Sequence, residues 1–243
     1  MTLFNVVYNL LTYSATVCSV IMNASPVVTV RRLVQAGSIG PSTVTFYGAQ
    51  LFSGVTWCSY AVYADSIPIL ISSGVGNAVS TYCMLTFLSV ARVEERSGKR
   101  LIATTYAKSV LTAGLFVLLG WAHLAMSILL VLHGRSSVAY YVTGWEASVA
   151  SVVMLSAPMA MFPHIIRNKD ASSLAPLTIL FGLGNTVGWT IAGIMKFDIF
   201  ILMTNLLCAL ACAAQMALYL RYGTKQKAEP EVVHEAIADV PFD

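Results

Sequence analysis

Few residues of this chain could do acid–base or metal chemistry. Its 243 residues include four histidines and five cysteines. His123 and His164 lie in apolar stretches, where a histidine could relay protons or bind a metal, and Glu146 is the only acid inside such a stretch. We expect no acid beside either histidine at matching depth, and interpret both as structural. The cysteines lack the spacing of a disulfide framework or a zinc site. We therefore predict no metal, no cofactor and no catalytic group, so the chain is not an enzyme.

The composition excludes most soluble classes of protein. Hydrophobic residues make up 57% of the chain and charged residues 10%, where a soluble domain carries about 25% charged residues. The mean hydropathy is +0.75. A soluble enzyme, a nucleic-acid-binding protein and a disordered chain are excluded by these values. The sequence predicts an integral membrane protein in contact with lipid, with no nucleic-acid partner.

Seven apolar stretches are long enough to cross a bilayer as helices. A helix rises 1.5 Å per residue, so about 20 apolar residues cross ~30 Å of hydrocarbon. The predicted spans are residues 4–30, 43–64, 68–91, 106–132, 140–166, 176–195 and 199–220. The connections between them are short, which places consecutive helices side by side. Residues 223–243 are polar and acidic and are expected to form a disordered cytoplasmic tail.

The first three spans recur as the last three. A constant offset of 132 residues superposes the two triplets without a gap. Pairs of identical residues at this offset include Ser19/Ser151, Met22/Met154, Pro26/Pro158, Leu51/Leu183, Trp57/Trp189 and Ile69/Ile201. The fourth span has no counterpart, and as a linker helix it gives both triplets the same direction through the membrane. The predicted fold class is an all-α membrane protein with two parallel three-helix bundles (residues 4–91 and 140–222) joined by a transmembrane linker (106–132). Such a repeat places a substrate site where its copies meet.

The basic residues predict the orientation. Only Arg135 and Lys196 lie on one side of the predicted spans. The other side carries Arg31, Arg32, Arg92, Arg96, Lys99, Arg100, Lys108, Arg167, Lys169, Arg221, Lys225 and Lys227. Because basic loops stay in the cytoplasm, we expect an extracellular N-terminus and a cytoplasmic C-terminus. No cleavable signal peptide is expected, since no basic segment precedes the first span. A multi-pass protein of the plasma membrane is favoured, and an intracellular membrane is the alternative.

The repeat carries recognisable motifs. The first copy reads ASPVVTVRR at the end of its first helix, and has a tryptophan in its second helix and an acidic residue in the next turn. The second copy enters its last helix with DIFILMTN. Two such copies in order, separated by a linker helix, resemble the eukaryotic seven-helix SWEET sugar facilitators. The resemblance extends over about residues 19–222.

This resemblance implies a set of binding residues. In the family, sugar lies between two tryptophans and two asparagines, one of each from each repeat. The matching residues are Trp57, Trp189 and Asn205, while Ser73 stands where the family has the other asparagine. Asn77, one turn further along the helix, is the alternative to Ser73. The family pattern adds the wall residues Ser19, Met22, Ser53, Ser151, Met154 and Asn185. It also adds three of four hinge prolines, namely Pro26, Pro158 and Pro176, with Phe46 in the fourth position.

The function implied is facilitative sugar transport. No ionisable residue is expected deep in the path, which favours passive uniport by alternating access over ion coupling. Met22 and Met154 would crowd a second sugar ring, so a monosaccharide is the favoured substrate. Alternatives are a facilitator of another small neutral solute and a heptahelical receptor, which the repeat disfavours. Assembly into a homo-oligomer is compatible with this function.

Overall fold

A computed structural model describes residues 3–98, 104–159, 162–171, 174 and 176–223, except for the side chains of 155–158. The predicted tail from residue 224 onward lies outside the described residues. Helices account for most of the described chain. They are α1 (Leu3–Ala24), α2 (Pro26–Ala36), α3 (Thr45–Tyr63), α4 (Ile67–Arg96), α5 (Tyr106–Leu132), α6 (Ser136–Met159), α7 (Phe162–Asn168), α8 (Pro176–Lys196) and α9 (Ile199–Tyr222).

The helices pack as two bundles and a linker, which confirms the predicted fold class. The first bundle contains α1–α4 and the second contains α6–α9, while α5 packs against α3, α4 and α6. The bundles meet through two helix pairs, α1 with α8 and α3 with α6. At the offset of 132, α6 is the counterpart of α1 and α8 is the counterpart of α3. The two contacts are therefore the same contact generated twice, as expected around a twofold axis between the bundles.

The repeat extends to backbone details. Asp65 and its counterpart Phe197 both have the left-handed conformation, with φ of 48° and 55°. The backbone N–H of Ser66 donates to the carbonyl of Ala61 at 2.9 Å. The equivalent bond in the second bundle joins Asp198 to Gly193, also at 2.9 Å. The turn after α3 in the first bundle and the turn after α8 in the second bundle thus have the same backbone geometry.

Most of the long helices are apolar enough to span a membrane. Within the described residues, five helical stretches are long and apolar enough to cross a membrane: Leu3–Ala36, Ile67–Arg96, Tyr106–Leu132, Pro176–Lys196 and Ile199–Tyr222. The other two long helices, α3 and α6, contact each other. Ser53 on α3 and Ser151 on α6 are buried between them.

The predicted hinge prolines lie at helix breaks and ends. Pro26 begins α2 directly after the break at Ser25, and Pro176 begins α8. Pro158 is the next-to-last residue of α6. Proline lacks a backbone N–H, so it is tolerated where a helix starts or breaks. The first membrane helix also runs six residues beyond the predicted end, because α2 continues to Ala36.

The two ends of the bundle differ in chemistry. At the end defined by Arg31, Arg92 and Arg221, which we call the basic end, the carboxylate of Glu94 accepts hydrogen bonds from Ser38 Oγ at 2.6 Å and from the Ile39 N–H at 2.8 Å. These bonds fix the connection between α2 and α3 against the end of α4. The opposite end, defined by Tyr60, Tyr140 and Phe200, we call the aromatic end.

The turn between α8 and α9 leaves no room for a side chain at Gly193. A Cβ there would lie 2.7 Å from the Leu202 nitrogen and 2.9 Å from its Cα. Because those atoms are backbone, Gly193→Ala should destabilise the protein by about 3 kcal/mol, in the range of overpacked cores. The matched control is Gly114→Ala on α5, where a Cβ would meet nothing within 4 Å. Thermal unfolding in detergent should show a lower melting temperature than the wild type for Gly193→Ala only. Equal melting temperatures for Gly193→Ala and Gly114→Ala would contradict the packing argument.

Candidate sugar site between the two bundles

A cavity of about 120 Å³ lies between the bundles. It is lined by α1, α3 and α4 on one side and by α6, α8 and α9 on the other. Nine pairs of its lining residues are separated by 132 positions: Ser19/Ser151, Met22/Met154, Ser53/Asn185, Gly54/Thr186, Trp57/Trp189, Ile69/Ile201, Ser72/Thr204, Ser73/Asn205 and Gly76/Cys208. The cavity is thus built almost symmetrically from the two repeats.

The structure brings together all ten residues that the sequence predicts for the site. Each of the two tryptophans, the serines, the methionines and the asparagines in that set lines this one cavity. Asn23, Gln50 and Cys212 also line it. Sequence reasoning missed the remaining symmetric pairs, although the offset of 132 would have found them once one member was placed. That these residues bind sugar remains a prediction.

The two tryptophans are held in different ways. Trp57 Nε1 donates a hydrogen bond to Ser151 Oγ at 2.8 Å, across the contact between the bundles. Its ring also packs edge-on against the ring of Tyr60, with 5.4 Å between the ring centroids. Trp189 is 5% exposed and packs in a hydrophobic cluster with Ala15 and other residues. Both indoles are therefore fixed before any ligand arrives.

Several polar atoms around the cavity have no partner within the described chain. Asn185 Oδ1 and Thr204 Oγ1 are buried and form no hydrogen bond with the described residues. Asn205 Nδ2 donates to the Ile201 carbonyl of its own helix at 2.9 Å. Buried polar groups in proteins are nearly always hydrogen-bonded. Unpaired oxygens in a cavity wall suit a ligand that carries hydroxyl groups.

Ser73, rather than Asn77, lies in the cavity wall. Ser73 is 9% exposed and lines the cavity as the counterpart of Asn205. Asn77 is not among the lining residues, and its Nδ2 donates to Cys58 Sγ at 3.5 Å between α4 and α3. Its side-chain oxygen packs against Gly54. The structure thus gives the first repeat a hydroxyl where the second repeat has an amide.

The expectation that His123 has no acidic neighbour is wrong. His123 Nδ1 contacts Glu146 Oε2, joining α5 to α6. The linker helix has no repeat counterpart, so the sequence did not indicate which of its faces meets α6. Neither residue lines the cavity, and none of the described lining residues is an Asp, Glu, Lys, Arg or His. The wall of the cavity is polar but uncharged.

The family of sugar efflux transporters for intercellular exchange matches this chain twice. Its family model covers residues 9–95 and residues 141–227, one match for each bundle. The chain belongs to this family, the SWEET transporters. Among curated relatives, the rice bidirectional sugar transporter SWEET15 (Oryza sativa subsp. indica) is 27% identical over 86% of this chain and 62% of its own length. The chain thus spans less than two thirds of that relative.

Two further comparisons cover nearly whole proteins. The sugar transporter SWEET1 of Dictyostelium discoideum is 25% identical over 88% of this chain and 94% of its own length. The structure of a eukaryotic SWEET transporter superposes with a TM-score of 0.72 at 17% identity. It covers 91% of this chain and 99% of the solved one. The SWEET fold therefore extends over both bundles and the linker.

This SWEET chain has one end closed by a core that both repeats share. At the aromatic end, one cluster of buried residues contains Ala15 and Tyr60 from the first repeat with Trp189 and Phe200 from the second. At the basic end, the two clusters of the described chain are separate. One is drawn from the first repeat and the linker, and the other from the second repeat alone. The bundles are thus joined over the cavity at the aromatic end.

A hydrogen-bonded triad reinforces this closure in the SWEET chain. The Tyr60 hydroxyl donates to Asp198 Oδ2 at 2.6 Å and lies 2.8 Å from the Tyr140 hydroxyl. Asp198 Oδ1 also accepts from the backbone N–H groups of Phe200 and Ile201 and so caps α9. Tyr60 belongs to the first repeat, and its two partners belong to the second. Asp198 is the first residue of the DIFILMTN motif, and the motif alone did not predict this contact.

Proposed function

We propose that this protein transports a sugar passively across a membrane, by uniport with alternating access. The observation that carries the proposal is the cavity where the repeats meet, which is lined by one tryptophan from each repeat and, among the described residues, by no charged side chain. Indole faces match the apolar C–H face of a pyranose ring. Hydroxyl and amide groups in the same wall can exchange hydrogen bonds with its hydroxyls.

Alternating access is supported by the unequal ends of the bundle. The shared cluster and the Tyr60–Asp198 bond close the aromatic end, whereas each bundle keeps its own core at the basic end. Rocking of the bundles would open the aromatic end and close the basic end around the same cavity. Pro26 and Pro176 lie at a helix break and a helix start near the basic end, where such motion would bend the helices.

The orientation and the substrate are the finer parts of the proposal. The concentration of arginines at the basic end supports a cytoplasmic basic end and an extracellular aromatic end. A plasma membrane location is favoured. Met22 and Met154, one from each repeat, both line the cavity with long side chains. We therefore expect a monosaccharide to be transported in preference to a disaccharide.

Uptake by liposomes that contain the purified protein tests this proposal. Labelled glucose, fructose and sucrose are offered with and without an imposed pH gradient. We expect uptake of a hexose at equal rates under both conditions, because the described residues that line the cavity include no Asp, Glu, Lys, Arg or His. Uptake of sucrose without hexose would overturn the substrate class, and uptake of no sugar would overturn the proposed function.

The contact of His123 with Glu146 gives the passive mechanism a sharper test. If these two residues coupled protons to sugar, Glu146→Gln would abolish a dependence of uptake on the pH gradient. We expect no such dependence in the wild type and unchanged initial rates in Glu146→Gln, since both residues lie outside the cavity. Gradient-driven accumulation of sugar that disappears in the variant would show that the protein is a coupled carrier.

A further inference from the structure

Two amides break the symmetry of the cavity. Asn23 on α1 and Gln50 on α3 line it, whereas the corresponding positions 155 and 182 hold leucine and glycine, which have no polar side-chain atom. Asn23 follows Ser19 by four residues and Gln50 precedes Ser53 by three, so both lie one helical turn closer to the basic end. At these two positions the first repeat has polar side chains and the second repeat does not.

The two amides contact each other and orient Gln50. Gln50 Nε2 donates to the backbone oxygen and to Oδ1 of Asn23, each at 3.5 Å. Asn23 Nδ2 in turn donates to Ser19 Oγ and to the Ser72 carbonyl, each at 3.4 Å. Asn23 also packs on Gly76 of α4, where a Cβ would lie 3.1 Å from Nδ2. The network engages the nitrogen of Gln50 and leaves its oxygen as the free atom.

That free oxygen is an unpaired acceptor in a buried position. Gln50 is 6% exposed, and its Oε1 has no hydrogen-bond partner within the described part of the chain. Leaving a buried acceptor unpaired is unfavourable, so such atoms in a cavity wall indicate a ligand group that completes them. Only a donor can do this, and a sugar hydroxyl is a donor.

We propose that Gln50 Oε1 accepts a hydrogen bond from one hydroxyl of the transported sugar, with Asn23 as the residue that positions it. This subsite rests on the proposed function and adds a determinant of sugar selectivity. Ser73 gives the first repeat a hydroxyl opposite the amide of Asn205. Gln50 gives that repeat an amide, one helical turn closer to the basic end than Ser53. The sugar is therefore recognised unequally by the two halves of a nearly symmetric cavity.

Monodeoxy sugars test the proposal in liposomes that contain the full chain. The wild type should take up glucose with about tenfold higher efficiency than one of its monodeoxy analogues, because a site that binds a hydroxyl rejects an analogue without it. In Gln50→Leu this penalty should fall below about twofold. Asn23→Leu should reduce the same penalty partly, since Gln50 remains but loses its orientation. Gln215→Leu is the matched control, because Gln215 is equally buried at 6% but does not line the cavity.

The outcomes separate the subsite from the proposed function. An equal loss of uptake for glucose and every analogue in Gln50→Leu would overturn the subsite, because a purely structural role affects all sugars alike. An unchanged penalty would also overturn it. Gln50→Met, closer in length to glutamine, provides the same test if the leucine variant does not fold. Absence of uptake of any sugar by the wild type would instead reject the proposed function.

Discussion

Replacing Trp57 or Trp189 with alanine is expected to reduce sugar uptake at least about thirtyfold. A pyranose face stacked on an indole covers on the order of 80 Å² of apolar surface, or about 2 kcal/mol at ~25 cal/mol per Å². The two faces are not equivalent, because Trp57 is held by its bond to Ser151 and Trp189 by burial. Initial rates in liposomes, normalised to folded protein, measure the loss.

Matched variants separate stacking from folding. Trp121→Ala removes an indole from α5 that is 67% exposed and outside the cavity, and should leave uptake unchanged. Alanine at the buried Trp189 leaves a cavity, so Trp189→Phe provides a variant that keeps an aromatic face. We expect the phenylalanine variant to retain measurable uptake. Normal rates in either alanine variant would contradict stacking as the basis of binding.

The repeat predicts where the cavity lies, and the family resemblance supplies the residues of its wall. Trp57 and Trp189 stand at the same offset as Ser73 and Asn205, and a twofold axis between parallel bundles brings such pairs face to face. Neither long-range packing energies nor loop conformations are needed for that step. The position of the site follows from the repeat. The offset also pairs Ser73, rather than Asn77, with Asn205, and the structure places Ser73 in the cavity wall.

Features without a repeat counterpart were beyond the sequence analysis. Position 192, the counterpart of Tyr60, holds an alanine, so the offset does not predict the contact of Tyr60 with Asp198. The contact of His123 with Glu146 depends on the linker helix, whose rotation the repeat leaves undetermined. Gln50 and Asn23 also lack a matching residue in the second repeat, where positions 182 and 155 hold glycine and leucine. Apart from four symmetric pairs of lining residues, the structural features that the sequence did not predict are ones without a repeat counterpart, and they include the closure of one end and the proposed selectivity.

Tyr60→Phe is expected to open the aromatic end more often. The variant keeps the ring in its cluster but removes the hydroxyl that bonds to Asp198 and Tyr140. A hydrogen bond to a charged group contributes about 1.5–3 kcal/mol, so the closed conformation should lose at least about tenfold in its population ratio. Cys208 and Cys212 line the cavity and report on its accessibility. Their rate of reaction with a membrane-impermeant thiol reagent, applied from the aromatic end, should rise by about the same factor.

Tyr63→Phe is the control that ties this effect to the contact between repeats. Tyr63 lies one turn further along α3, and its hydroxyl bonds to Ser127 of the linker helix at 2.6 Å. That bond does not join the two bundles, so its loss should leave the thiol reaction rate unchanged. The same reagent applied from the basic end should react more slowly with Tyr60→Phe than with the wild type, since the two conformations compete. If Tyr60→Phe and the wild type react at the same rate from the aromatic end, and also at the same rate from the basic end, the shared hydrophobic cluster alone keeps the aromatic end closed.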